Sequence, residues 1–293
     1  MTQKLPVNAS VSNTKTDLIL LHVASFVLGF AGLFAKWIQL PALHIIFGRS
    51  LVAFPILLGI ACWTRSMCRI SLNKDRWIVG SAGVLLMVHW VTFYMAIQVS
   101  TVFVGVVCFY SYVVMNVLLE PLVVSKRLSW VQWVQAVGVV LGVMIVFWDA
   151  SAMGNVGLGI LYGLVSALSF SVRNILLRFI VNAYPSSWLM TLQVGIGVLI
   201  LGPFSFSAFV TAPVRDIIIT VIAGVLLTGL AHTLYMKSLR SLSATTVGII
   251  ASCQVVYAGV AAWLLLGEVI SIQMFIGGSI VVAMGMIEHL RVK

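Results

Sequence analysis

The chain has 293 residues, 61% hydrophobic and only 8% charged, with a mean hydropathy of +1.15. A soluble domain carries about 25% charged residues, so a water-exposed globular surface is excluded and the composition is that of a polytopic membrane protein. The net charge of +10 does not point to nucleic acid, because no basic run is interleaved with aromatics as such a patch requires, and basic residues in a membrane protein mark cytoplasmic loops.

Residues 1–17 are polar and read as a cytoplasmic tail. The apolar run that follows leads straight into further apolar segments, so it is expected to be a retained first helix and not a cleaved signal. Crossing the hydrocarbon core takes about 20 apolar residues. Dividing the chain at polar, Pro and Gly punctuation predicts ten spans, at 18–36, 41–63, 77–97, 101–124, 130–148, 156–179, 187–204, 215–236, 243–265 and 271–289. Connections are short, leaving no room for a soluble domain.

In chain order, the first span carries His22 in its inner third. The second places Arg49 near its middle, inside Ile45-Ile46-Phe47-Gly48-Arg49-Ser50-Leu51. The third centres on His89, with Trp90 and Tyr94 beside it. The fourth holds Tyr110, Tyr112 and Asn116 and ends with Glu120 and Pro121, where the proline is expected to break the helix and free carbonyls for a cavity. The sixth ends in Arg173-Asn174 and Arg178, which read as snorkelling to the cytoplasmic surface. The eighth carries His232 and Tyr235, the ninth Gln254 and Tyr257. Gly29/Gly32, Gly138/Gly142 and Gly159/Gly163 offer small-residue faces for close helix packing.

Charge sets the orientation. With the N-terminus inside, the cytoplasmic side collects Lys4, Lys15, Arg65, Arg69, Lys74, Arg76, Lys126, Arg127, Arg173, Arg178, Lys237, Arg240, Arg291 and Lys293, against Lys36 and Arg215 on the other side. This positive-inside bias predicts both termini in the cytoplasm and leaves Arg49 as the single unassigned basic residue. Ala82-Gly83-Val84-Leu85-Leu86 recurs as Ala223-Gly224-Val225-Leu226-Leu227, and Thr92, Tyr94 and Met95 match Thr233, Tyr235 and Met236 at the same spacing. The expectation is a duplication, residues 18–150 and 151–293, of five spans each. Five is odd, so the second copy is inverted in the membrane, as in secondary transporters with a substrate site between the halves.

Two five-helix repeats, Phe47-Gly48-Arg49 in the second span, Leu265-Leu266-Gly267-Glu268 ending the ninth, and the spaced glycines Gly138/Gly142 and Gly278/Gly285 together resemble the drug/metabolite transporter superfamily, specifically its EamA-type members. The first repeat departs from that pattern, reading Val124-Ser125-Lys126-Arg127 where the family often has Gly-Glu. The resemblance implies an all-α integral membrane protein, ten transmembrane helices in two inverted repeats around a central cavity. It also implies small-molecule transport, often export, across the plasma membrane (the bacterial inner membrane).

Ionisable groups inside a membrane are costly and are functional candidates by default. Arg49 reads either as an anchor for a substrate carboxylate or phosphate through its bidentate fork, or as an architectural or gating residue; both readings stay open. His89 and His232 are candidates for a proton-coupled step, with protons as the candidate coupling ion. Glu120 is a proton or cation carrier, or an interfacial carboxylate near Lys126 and Arg127. Trp90, Tyr94, Tyr110, Tyr112, Tyr235 and Tyr257 are expected to line a cavity, with Asn116 and Gln254 as neutral polar partners. Trp37, Trp63, Trp77, Trp130, Trp148 and Trp188 lie near span ends and are assigned to interfacial belts. Glu268 reads as a structural end-cap.

Cys62, Cys68, Cys108 and Cys253 form no Cys-x-x-Cys pair, so neither a disulfide framework nor a metal site is expected. No Gly-x-x-x-x-Gly-Lys-Ser/Thr motif is present, so ATP is not the direct driver, and no cofactor is expected. The favoured reading is a secondary transporter of an amino acid or a related zwitterionic or anionic metabolite, exporting by alternating access, as a monomer or homodimer. The alternative, a membrane-embedded lipid- or metabolite-modifying enzyme, would require clustered acids or an His-Glu-x-x-His motif, so the chain is not expected to be an enzyme.

Overall fold

A computed structural model describes residues 14–70, 72–124, 129–150, 155–181, 183–238 and 244–291, and among them the regular structure is entirely helical. The elements are α1 (Thr14–Gly29), α2 (Ala31–Trp37), α3 (Ala42–Trp63), α4 (Asn73–Val99), α5 (Val102–Tyr110), α6 (Tyr112–Val124), α7 (Trp130–Ala150), α8 (Val156–Arg178), α9 (Ser186–Val210) and α10 (Val214–Ala223), then a π-helical segment (Gly224–Ala231), α11 (His232–Ser238), α12 (Ala244–Leu266) and α13 (Ile272–Arg291).

Among the described residues, seven stretches are long and apolar enough to cross a membrane: Asp17–Trp37, Ala42–Trp63, Asn73–Val99, Trp130–Trp148, Val156–Arg178, Ser186–Val210 and Val214–Tyr235. Shorter apolar helical stretches cover Val102–Asn116, Cys253–Leu266 and Ile272–Met284. Apolar side chains on the outside, such as Leu199, Phe204, Trp263 and Ile272, are exposed, which is the reverse of a soluble protein and suits a hydrocarbon solvent.

Several helices are interrupted where the sequence reads as continuous. The fourth predicted span breaks at Ser111, whose Oγ donates to the Cys108 carbonyl at 2.6 Å. Such a local side-chain bond competes with the helical ladder. The break expected at Pro121 does not occur, since α6 runs through it to Val124. The eighth predicted span widens into the π segment, a rare form that often marks functional sites. Of the six belt tryptophans, Trp63, Trp77, Trp130 and Trp148 are exposed, whereas Trp188 is half-buried and its Nε1 donates to the Cys68 carbonyl at 2.7 Å.

The register of the central helices follows from their contacts. The Ala42 N–H donates to Gln98 Oε1 at 3.1 Å and Ser50 faces Met87, so α3 and α4 run antiparallel. Gly159 lies against Ser100 and Ser166 against His89, so α4 and α8 are antiparallel too, and α3 and α8 run in the same direction. The most extensive packing joins α4 to α8, α3 to α9, α7 to α13 and α1 to α12. In the α7–α13 pair, glycines let the two backbones touch: a Cβ on Gly142 would sit 2.7 Å from the Gly277 carbonyl oxygen.

Polar ties close one end of the bundle. Lys36 Nζ donates to the Ser100 carbonyl at 2.7 Å, Gln98 Nε2 to the Leu40 carbonyl at 2.8 Å, and the Gln39 N–H to Asp216 Oδ2 at 3.2 Å. Beside them Gly267 follows the end of α12 with φ of +66°, a left-handed turn that glycine adopts without Cβ strain. At the opposite end the Tyr184 hydroxyl donates to Asp75 Oδ2 at 2.7 Å.

Candidate functional site

The core of the bundle encloses a cavity of about 610 Å³, within the size range of small-molecule sites. Its lining includes Arg49, His89, Trp90, Tyr94, Tyr110, Tyr112, His232, Tyr235 and Gln254. Helices on both sides of residue 150 contribute, so neither half encloses the cavity alone.

Arg49 is 2% exposed. Its Nη2 donates to Thr228 Oγ1 at 3.0 Å, and its guanidinium carbon lies 5.4 Å from the Trp90 ring centre and 5.1 Å from that of Tyr94. Cation–π contact of this kind supports a buried cation without neutralising it. Thr228 belongs to the π segment, whose Gly224 packs on the Arg49 backbone. His232, at the end of that segment, meets Trp90 edge-on at 5.6 Å and places its Nδ1 2.7 Å from the Leu227 carbonyl.

His89 is held differently. Its ring lies between Phe109 and Phe170, at centroid distances of 4.8 and 4.7 Å. Ser166 Oγ lies 2.7 Å from its Nδ1 and also donates to its carbonyl at 3.1 Å. A serine thus meets the polar edge of an imidazole whose faces are covered by aromatic rings. Tyr112 stacks on Phe109 at 4.9 Å and meets Tyr110 at 5.7 Å, and the buried Tyr110 hydroxyl has no hydrogen-bond partner among the described residues.

Arg173 also lines the cavity, and the reading of it as a surface-snorkelling residue is corrected. It is 7% exposed. Its Nε donates to Gln193 Oε1 at 2.7 Å, its Nη1 to Asn174 Oδ1 at 3.2 Å, and its guanidinium carbon lies 5.6 Å from the Phe170 ring centre. The sequence signal was weak, since any arginine within a turn or two of a span end is assigned to the interface when charges are counted.

Two predicted site residues are placed elsewhere. Asn116 Oδ1 accepts from Ser171 Oγ at 2.7 Å, in the seam between α6 and α8. Tyr257 packs beside Gly29 and edge-on to Phe26 at 5.4 Å. The Glu120 side chain lies outside the described residues. No Asp or Glu appears among the described residues lining the cavity, and no group of His, Cys, Asp and Glu suited to a metal occurs among the described residues. A second concavity, of about 790 Å³, lies along α12 and α13 and is lined by apolar side chains such as Val256, Trp263 and Phe275, with no ionisable group among its described lining residues.

The EamA-like transporter family matches the sequence twice, at residues 16–148 and 157–286. An uncharacterized transporter of Bacillus subtilis (strain 168), YxxF, is 26% identical over 251 residues, 82% of this chain and 79% of that protein. A solved crystal structure of a protein aligns with a TM-score of 0.62 over 95% of this chain and 99% of its own, at 13% identity; at that identity the likeness concerns the fold.

Proposed function

Because the chain belongs to the EamA-like transporter family, we propose that it is a secondary transporter that moves an amino acid or a related zwitterionic or anionic metabolite through the central cavity by alternating access. One observation carries this reading: a buried guanidinium, Arg49, faces a closed-in aromatic chamber assembled from both matched repeats. A buried cation is expensive, and a chamber of this size gives it an anionic occupant to meet.

The proposed architecture is ten passes in two inverted five-helix repeats, 18–150 and 151–293. Helix packing supports it. A two-fold exchange of the halves maps the α4–α8 contact onto the contact of α1 with the π segment and α11, and maps the α3–α9 and α7–α13 contacts onto themselves. The charge distribution supports cytoplasmic termini and a location in the bacterial inner membrane. Cavity lining continues from Arg49 past Arg178 and Val181 at the end of α8, on the side this orientation assigns to the cytoplasm. The polar ties around Lys36, Gln98 and Asp216 occupy the other end. That combination supports an inward-facing state. Export follows the family resemblance, and protons are the proposed coupling ion.

Counterflow tests the proposal. The purified chain in liposomes, preloaded with unlabelled amino and organic acids, is expected to take up labelled members of the same panel saturably. Arg49→Gln is expected to abolish uptake with expression intact. Chemical conversion of a panel member without uptake would overturn the transporter reading in favour of a membrane-embedded enzyme.

A further inference from the structure

We infer that the cavity is built for an organic anion carrying two acidic groups, one held at the level of Arg49 and the other at the level of Arg173. This deepens the proposed function and rests on reading the cavity as the substrate site.

Of the three arginines that line the chamber, Arg49 and Arg173 are buried and Arg178 is exposed. Neither buried guanidinium makes an ion pair among the described residues. Guanidinium offers five N–H donors. Arg49 uses one on Thr228, and its Nε is buried without a partner among the described residues. Arg173 spends donors on Gln193 and Asn174, but its Nη2 has only the Met190 sulfur, at 4.0 Å. These partners are neutral, so they orient the two cations and leave the charge of each unbalanced. An unpaired buried charge is costly, and an anion neutralises it most directly.

The arginines occupy different depths. Arg49 lies level with Trp90, and the adjacent His89 is level with Ser166. Since α3 and α8 run in the same direction, Arg173 sits seven residues, or about 10 Å of helix rise, beyond that level. That backbone offset offers one acid-binding position at each arginine. Aromatic faces of Trp90, Phe109, Tyr112 and Phe170 wall the space between, suiting a planar or apolar body with an acid at each end. Three arginines and no carboxylate among the described lining residues disfavour a substrate whose second group is a free ammonium.

The test is binding of six probes to the purified full chain in detergent: the diacids succinate and terephthalate, the matched monoacids butyrate and benzoate, and the amino acids alanine and phenylalanine. Diacids are expected to bind at least about tenfold more tightly than their monoacid partners, the worth of one further charge-assisted contact. Arg173→Gln is expected to bring diacid affinity down to the monoacid level while changing monoacid affinity far less, and Arg173→Lys, which keeps the charge, to retain part of the preference. If Arg173→Gln does not elute as folded protein, the native panel and Arg173→Lys decide. Equal binding of monoacids and diacids would mean that one acidic group visits the arginines in turn, and would overturn the inference. Tighter binding of amino acids, an unchanged preference in Arg173→Gln, or no diacid binding would overturn it equally. Counterflow of another solute under those outcomes leaves the transporter reading standing; diacid binding without any transport sinks that reading and keeps this one.

Discussion

The Glu268 carboxylate holds the first turn of α5: its two oxygens accept the Val102 N–H at 2.9 and 3.1 Å, and Oε2 also accepts from Phe103 N–H at 3.4 Å. Helix N-termini carry unsatisfied N–H groups and a partial positive charge, so a carboxylate there bonds and neutralises at once. The residue sits just past α12 and 166 positions from Val102, so the cap ties the second half to the first. Glu268→Ala is expected to cost about 1–2 kcal/mol and to lower the melting temperature of the detergent-solubilised protein; Glu268→Gln, which keeps one acceptor, is expected to lower it less. An unchanged melting temperature in Glu268→Ala would remove the cap from the account of stability.

Thr228 gives Arg49 its hydrogen bond from the π segment. Thr228→Val keeps the shape and removes the acceptor, so the guanidinium loses its fixed orientation at a cost of about 1–3 kcal/mol. Uptake is expected to drop about tenfold or more with the protein still monodisperse, and Thr228→Ser to restore most of it. Equal uptake by Thr228→Val and the native chain would show that this bond does not orient the arginine.

His89 and Ser166 form a buried polar pair among aromatic rings. Gln at position 89 can still bond the serine through its side chain, whereas Leu leaves the Ser166 hydroxyl only the residue-89 backbone carbonyl. Thermal melts are expected to place His89→Leu about 0.5–1.5 kcal/mol below His89→Gln in stability, the worth of one hydrogen bond. Counterflow with and without a pH gradient then separates structure from coupling: loss of the gradient effect alone in His89→Gln assigns the proton to this ring, and a retained effect moves it elsewhere.

Gly142 and Gly277 permit the contact of α7 with α13. Gly277→Val forces the backbones apart and is expected to cost about 1–3 kcal/mol or more, as overpacking does. Reduced yield of monodisperse protein checks it; a native yield and melting temperature would show that the seam adjusts freely.

Much of the cavity was legible because a residue type out of place is visible in an apolar sequence. Arg49, His89, Trp90 and Tyr94 stand out against Val, Leu and Ala, and all four reach the chamber. Arg173 was hidden by position: it lies five residues before the end of α8, where the same letter describes an interfacial anchor. Its burial depends on Gln193, contributed by α9, and no local pattern announces a partner from another helix. Ser111 and Pro121 teach the same point for the backbone. Proline is the stronger breaker in isolation, yet neighbouring helices make it tolerable in a membrane, while the serine ends α5 through a bond to its own carbonyl ladder. The π segment shows in the sequence only as Gly224 and Gly229, which many regular helices also contain.

The most extensive helix pairs, α4 with α8, α3 with α9, α7 with α13 and α1 with α12, each join one side of residue 150 to the other. Synthesis runs from the N-terminus, so the first half enters the membrane before its main packing partners exist. At roughly 5–20 residues per second, that interval lasts on the order of ten seconds. During it Arg49 has neither Thr228 nor the rest of its chamber, and the α5 N-terminus has no Glu268. The two halves cannot mature one after the other: the first must wait in the bilayer, unassembled, until the second arrives to complete it.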